Sequence, residues 1–99
     1  MPQVSRHADL CFTGHSCDGV AGVRATQFTV FVNGIPSLKQ GDPVMPHTIR
    51  VGDYCVDHSA NVNRGSTSVF VQGIPMARVG DSTDRGALFR GSPNVFAGG

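Results

Sequence analysis

Apolar residues come in short bursts along this chain, each cut off by a turn residue. Thr26–Val32 (TQFTVFV) and Thr67–Gln72 (TSVFVQ) are rich in β-branched and aromatic side chains, and Phe28, Val30 and Val32 alternate with polar or aromatic neighbours. That pattern predicts two strands. Asn33-Gly34 closes the first and Gly73 stands in the same place after the second. Asn and Gly tolerate positive φ, so both sites predict tight turns. Pro36 has no N–H and allows only an edge or irregular strand start. Met76–Val79 predicts a further short strand, ended by Gly80-Asp81 as Gly41-Asp42 ends the earlier pass. Pro2–Asp9 predicts a short extended piece. Leu10–Gly22 and Pro43–Asn61, which carry His and Cys, predict loops. A shorter loop, Ser82–Gly86, precedes a short strand at Ala87–Phe89 and a last one at Asn94–Ala97.

The bursts repeat. Val30–Asp42 (VFVNGIPSLKQGD) returns as Val69–Asp81 (VFVQGIPMARVGD), with Phe31 to Phe70, Pro36 to Pro75 and Asp42 to Asp81 each 39 positions apart. Pro2–Asp9 resembles the second half of this unit and Pro93–Phe96 the first half, so the chain is three passes of one motif cut out of phase. From each turn Asp to the next strand Phe, the spacing varies: 22 positions from Asp9 to Phe31, 28 from Asp42 to Phe70 and 15 from Asp81 to Phe96. Constant strands with variable connections are the mark of a repeat scaffold that carries its function in loops at one end. Asp9, Asp42 and Asp81 recur with the turns, which predicts that they accept backbone N–H bonds rather than act as acids or bases. Phe31, Phe70 and Phe96 recur in register and are expected to stack in the core, with Val30, Val69 and Val95 facing the other way.

Composition adds to this picture. There are 13 Gly, six Pro and no Trp; all seven acidic residues are Asp, and Lys39 is the only lysine. Strong helix formers are scarce, which points to an all-β chain with many turns. A net charge of +1 without a basic run gives no support to nucleic-acid binding. No apolar stretch approaches the roughly 20 residues of a membrane span, and the first residues lack the apolar segment of a signal peptide. Three cysteines, Cys11, Cys17 and Cys55, make an odd count that allows at most one bridge within the chain. With His7, His15, His47 and His58, they raise the prospect of a metal site, which a small domain can use to supplement a thin core.

The GIP-x-x-x-x-GD motif, Pro75-Met76-Ala77-Arg78, the looser Pro36-Ser37-Leu38-Lys39, the Thr13-Gly14-His15 segment and the ending Gly91–Phe96 (GSPNVF) together resemble the PAAR-repeat family. The resemblance covers essentially the whole chain, residues 1–99, as one domain, and the ending at Gly98-Gly99 is expected to leave no attached effector. It implies a small all-β cone with pseudo-threefold symmetry, stapled by a metal at the tip. Its base would sit on the end of a trimeric β-helical spike, one tip per trimer, in a type VI secretion system or a contractile phage tail. Such a protein is made in the bacterial cytoplasm, pierces the target-cell membrane without catalysing a reaction, and can accompany effector cargo. The runner-up is a small zinc-dependent hydrolase with a three-histidine metal site, for which the sequence offers no evident general base.

The resemblance carries a metal role onto His15, His47 and His58 and leaves the fourth ligand open. The family's Cys would fall at Asp84 or Arg85. Cys55, three residues before His58, is favoured for the place; Asp84 and then Cys17 follow. Sulfur suits Zn²⁺, while a His/carboxylate set would also admit Fe. His7 has no ligand counterpart and is expected at the surface.

Overall fold

A computed structural model describes residues 1–99, and it contains strands, turns and no helix. Ten short strands form five antiparallel two-stranded hairpins. β1 (Leu10–Phe12) pairs with β2 (Val20–Gly22), β3 (Phe31–Val32) with β4 (Ile35–Pro36), and β5 (Pro43–Val51) with β6 (Tyr54–Asn61). β7 (Phe70–Val71) pairs with β8 (Ile74–Pro75), and β9 (Ser82–Thr83) with β10 (Gly86–Ala87). The chain is elongated, 42 × 24 × 22 Å.

The repeated motif folds the same way in each pass. Asn33-Gly34 and Gln72-Gly73 take φ values of 56°, 75° and 53°, 79°, so both hairpins turn through two left-handed residues. The backbones of the three equivalent segments close on one another. Leu38 N–H donates to Ser5 C=O at 3.1 Å, Ala77 N–H to Leu38 C=O at 2.9 Å, and Ser5 N–H to Ala77 C=O at 3.1 Å. This ring satisfies one donor and one acceptor of each segment without a continuous sheet. Every pass then ends on the same corner. Asp9, Asp42 and Asp81 accept the backbone N–H of Arg6, Lys39 and Arg78 at 2.7, 3.0 and 2.8 Å, and pair with the same residues' side chains. The middle pair is the most enclosed: Asp42 is fully buried, and Lys39 spans it and Thr26.

Two apolar clusters fill the body. Val4, Val32, Val71, Met76 and Ala97 form one, and Cys11, Val23, Ala25, Leu38, Val44, Val62, Ala77 and Leu88 the other. The register of the recurring aromatics differs from expectation. Phe31, Phe70 and Phe96 are about half exposed (52, 53 and 45 %), whereas Val32 and Val71, one residue on, are buried. A one-residue change of register moves a strand's side chains to the other face, and here the smaller Val fits the narrow interior. The strands are also shorter than the apolar bursts. At Thr26–Thr29 the backbone bends around Gln27, whose side chain holds Thr29 N–H and Val30 N–H, and Ser66 and Ser92 do the same in their passes.

The largest departure lies in Pro43–Asn61. Expected as a loop, this segment, which carries His47, Cys55 and His58, is the longest hairpin in the chain, β5–β6, turning at Gly52. A β-bulge between Val44 and His47 lets β5 bend out of the body. Leu10–Gly22, expected as a loop, is anchored by β1–β2 and loops only between them.

Candidate metal centre

Each donor is set in place by a different segment. His47 and His58 stand directly across from one another on β5 and β6, just past the bulge, so their rings share a face. Their centroids are 5.2 Å apart. His15 comes from the loop between β1 and β2. Thr13, fully buried, shapes that loop: its Oγ1 donates to Asp18 C=O at 2.7 Å and accepts His15 N–H at 3.2 Å. Asp84 tops the β9–β10 turn at φ 54°, with Arg85 N–H bonded to Thr13 C=O at 3.1 Å. Two glycines make this approach feasible. A Cβ on Gly14, where φ is 76°, would lie 2.5 Å from the Arg85 carbonyl oxygen, and one on Gly86 would overlap the Phe12 carbonyl.

The four side chains converge. Asp84 Oδ1 lies 2.9 Å from His15 Nε2, Oδ2 lies 3.0 Å from His47 Nε2, and the two oxygens are 3.3 and 3.2 Å from His58 Nε2. His47 is the most enclosed of the three imidazoles and His58 the most open, with 2 % and 30 % of their side chains exposed. Burial opposes ionisation of Asp84 and is the largest single influence on it. Where the facing Nε2 atoms carry protons, hydrogen bonds from His15, His47 and His58 together outweigh it and hold the carboxyl below its ordinary range.

The donor chemistry can be read at His47. Its Nδ1 sits 2.9 Å from the Met45 carbonyl oxygen, which can only accept, so Nδ1 carries a proton. In the neutral ring, Nε2 then turns a lone pair toward Asp84 Oδ2 at 3.0 Å. Two acceptors facing each other need either a second proton or a cation between them. Three imidazoles and one carboxylate are also the donor types of a tetrahedral Zn²⁺ shell. At bonds of about 2.0–2.1 Å, neighbouring donors of such a shell lie about 3.3 Å apart, close to the separations between Asp84 and each imidazole. His15, His58 and Asp84 also bring their ligand atoms within 4.8 Å of one another. The backbone carbonyl on Nδ1 is the kind of outer partner that orients a ligating imidazole. His15, His58 and Asp84 therefore fit a metal ion, and His47 faces the second oxygen of the same carboxylate.

The structure gives Cys55 another partner and so corrects its choice as fourth ligand. Its sulfur is bonded to Cys17, with the Cα atoms 6.2 Å apart. The reason is strand geometry. β6 runs in regular register from Tyr54 to His58, and side chains alternate faces along a strand. Cys55, three positions from His58, therefore points away from the imidazoles. Asp84, placed second by sequence, brings its oxygens to 2.9, 3.0 and 3.2 Å from Nε2 of His15, His47 and His58, and Cys17 is engaged in the same disulfide as Cys55. The missed signal was parity: an odd spacing of three unites two ligands on a helix and separates them on a strand. His7 is a structural residue, its Nδ1 accepting Ala25 N–H at 3.1 Å.

No helix is long and apolar enough to cross a membrane. A comparison with curated proteins returns no match. The family model described as PAAR motif matches residues 13–88, which includes His15, His47, His58 and Asp84 and the whole of both full repeats. A match over more than half the sequence, on a scaffold that repeats its motif in the backbone as well as in the letters, decides the family: the chain belongs to the PAAR-motif family.

Proposed function

We propose that this protein is a non-catalytic spike tip: a metal-stapled cone that caps a trimeric β-helical spike in a contractile injection machine and makes first contact with the target membrane. The convergence of His15, His47 and His58 on Asp84 carries this reading. Loops and hairpins that project past the two apolar clusters cannot bury enough surface to fix themselves, and ordering each residue costs about 1–2 kcal/mol. A structural Zn²⁺ held by these four side chains would supply directional bonds in place of a core. With a carboxylate completing the set around three imidazoles, no protein-defined position is left for a reacting water. Fe is the alternative ion for a His/carboxylate set.

The three-way ring of Ser5, Leu38 and Ala77 supports a pseudo-threefold body, suited to meeting three identical chains. Phe31, Phe70 and Phe96, one per pass and all exposed, support a docking face on that side. Mixing the protein with a trimeric β-helical spike and weighing the complex by native mass spectrometry tests the proposal. One tip per three spike chains is the expected result, and Phe70→Asp should weaken the complex while leaving the melting temperature within a few degrees. A homotrimer with no affinity for the spike would overturn it. Elemental content of the purified protein tests the staple, with one Zn or Fe per chain expected and none overturning it.

A further inference from the structure

The Cys17–Cys55 disulfide ties together two segments that each carry a metal-site histidine. We propose that this bond is a redox-set positioning crosslink for the metal centre: closed, it holds His15 in place opposite His47 and His58; opened, it frees the His15 loop and weakens metal binding. The inference rests on the metal-site reading above.

His15 is the one histidine of the three outside a strand. His47 and His58 are fixed by the β5–β6 ladder, and Asp84 by the β9–β10 turn. Past its anchor at Thr13, the His15 loop is held to the β5–β6 hairpin by few contacts. Cys17 bridges to Ile49, Asp18 N–H donates to Thr48 C=O at 3.2 Å, and Asp18 Oδ2 accepts Thr48 N–H and Oγ1–H, each at 2.8 Å. The two bonds to the Asp18 carboxylate are exposed, and water competes with exposed hydrogen bonds at little net cost. The disulfide is the one contact here that water cannot replace. It joins Cys17, two residues from His15, to Cys55, three residues from His58, and closes a loop across a sequence separation of 38.

The bond is also within reach of reagents, because Cys17 and Cys55 are both exposed. Cys11, the third cysteine, is fully buried in the larger apolar cluster, and burial pushes its thiol pKa up. Exchange is thereby confined to the exposed pair. Closing consumes a small-molecule disulfide: two protein thiols and R–S–S–R give Cys17–S–S–Cys55 and two R–SH. The two protein sulfurs lose one electron each, and R–S–S–R takes up both electrons and both protons. Excess thiol runs the reaction backwards. In a reducing compartment the loop is free, and in an oxidising one it is clamped.

Cobalt(II) is the probe, with the full chain compared as the disulfide, after phosphine reduction, and as Cys17→Ser/Cys55→Ser. The disulfide form should bind one Co²⁺ per chain with the visible spectrum of a tetrahedral ion. Competition with a chelator should show binding at least tenfold weaker after reduction and in the double variant. Reoxidation by a small disulfide should restore wild-type affinity and leave the variant unchanged. In the metal-free protein, amide exchange at residues 14–18 should quicken on reduction while residues 82–87 stay protected. Equal Co²⁺ affinity and equal exchange in both redox states would overturn the inference and leave the metal site standing. A sulfur-to-cobalt charge-transfer band on reduction would also overturn it, since a cysteine would then be a ligand. Failure of the disulfide form to bind Co²⁺ would overturn the metal reading and the inference together.

Discussion

The two ends of this molecule hold their shape by different means. In the body, three copies of one motif close a backbone ring through Ser5, Leu38 and Ala77, each copy ending on an Asp corner over a small apolar cluster. At the other end, three connections of unequal length rise from the larger apolar cluster and its isolated backbone bridges. Beyond it they are joined by individual side chains: the His15, His47, His58 and Asp84 set, and the Cys17–Cys55 bond. The hairpin then continues past the imidazoles to Val51 and Tyr54, about 13 Å at the usual rise per residue. Where backbone pairing and burial are available, side chains can differ between copies, as Lys39 differs from Arg6 and Arg78. Where they are not, a particular atom must be supplied at a particular place, and the repeat breaks down into individual residues.

The largest expected effect separates the two ends outright. At free metal about a thousandfold above its dissociation constant, binding contributes about 4 kcal/mol. For a domain of this size, at about 4–8 °C per kcal/mol, chelation should lower the melting temperature by roughly 15–30 °C. Calorimetry with and without chelator measures it. Amide exchange should show the Leu38 and Ala77 N–H groups still protected in the stripped protein while residues near His15 open. Simultaneous loss would mean that the two ends form a single cooperative unit.

Next comes a test of how equivalent the three copies are. Asp42→Ala strips a fully buried partner from Lys39, and breaking a buried pair costs about 3–5 kcal/mol. Asp9→Ala removes the same corner where both side chains are partly exposed, and should cost about 1–2 kcal/mol, the scale of a lost cap or charge-assisted hydrogen bond. Denaturant titration gives both values, and metal content should stay unchanged in each. Equal costs would make burial irrelevant to the corner.

A smaller pair of substitutions asks whether the metal centre depends on close backbone approach. Gly14→Ala meets both a left-handed φ and the Arg85 carbonyl, whereas Gly34→Ala meets the φ alone with open space around it. The second should cost about 1–2 kcal/mol, the usual penalty for a left-handed Ala, without touching metal affinity. The first should cost more and weaken metal binding as His15 moves from Asp84. A chelator competition that finds both variants unaltered would remove the glycines from the account of the site.

The smallest effect is a pH dependence. The Thr48 hydroxyl, then the Thr48 N–H, hold the Asp18 carboxyl below its ordinary value of 3.8. A depressed folded-state pKa adds stability that is complete above the unfolded value and fades as pH falls through the folded one. Asp18→Asn in the metal-free protein should therefore flatten the acid limb of the stability curve below about pH 4, slightly, because the group is exposed and screened by salt. An unchanged acid limb would show that the Thr48 contacts do not persist in solution.

The repeat of the body was legible as letters. The 39-residue offset, the Asn-Gly turn and the Gly-Asp corners are local signals, and backbone chemistry makes them mean the same thing wherever they occur. The facing of Phe31 against Val32 was not legible, because alternation identifies two faces and only the packed volume chooses which is inside. The histidines were visible as a set, since each stands near a recognisable motif. Their fourth partner was not: choosing Asp84 over Cys55 required knowing that residues 54–61 form a strand, which puts Cys55 and His58 on opposite faces. The chain's own order of residues thus determined that it folds as a repeated all-β unit with three imidazoles in its connections. Only the tertiary structure decided which carboxylate meets them and which cysteines pair, because both depend on where separate segments arrive in space, and no local pattern encodes that.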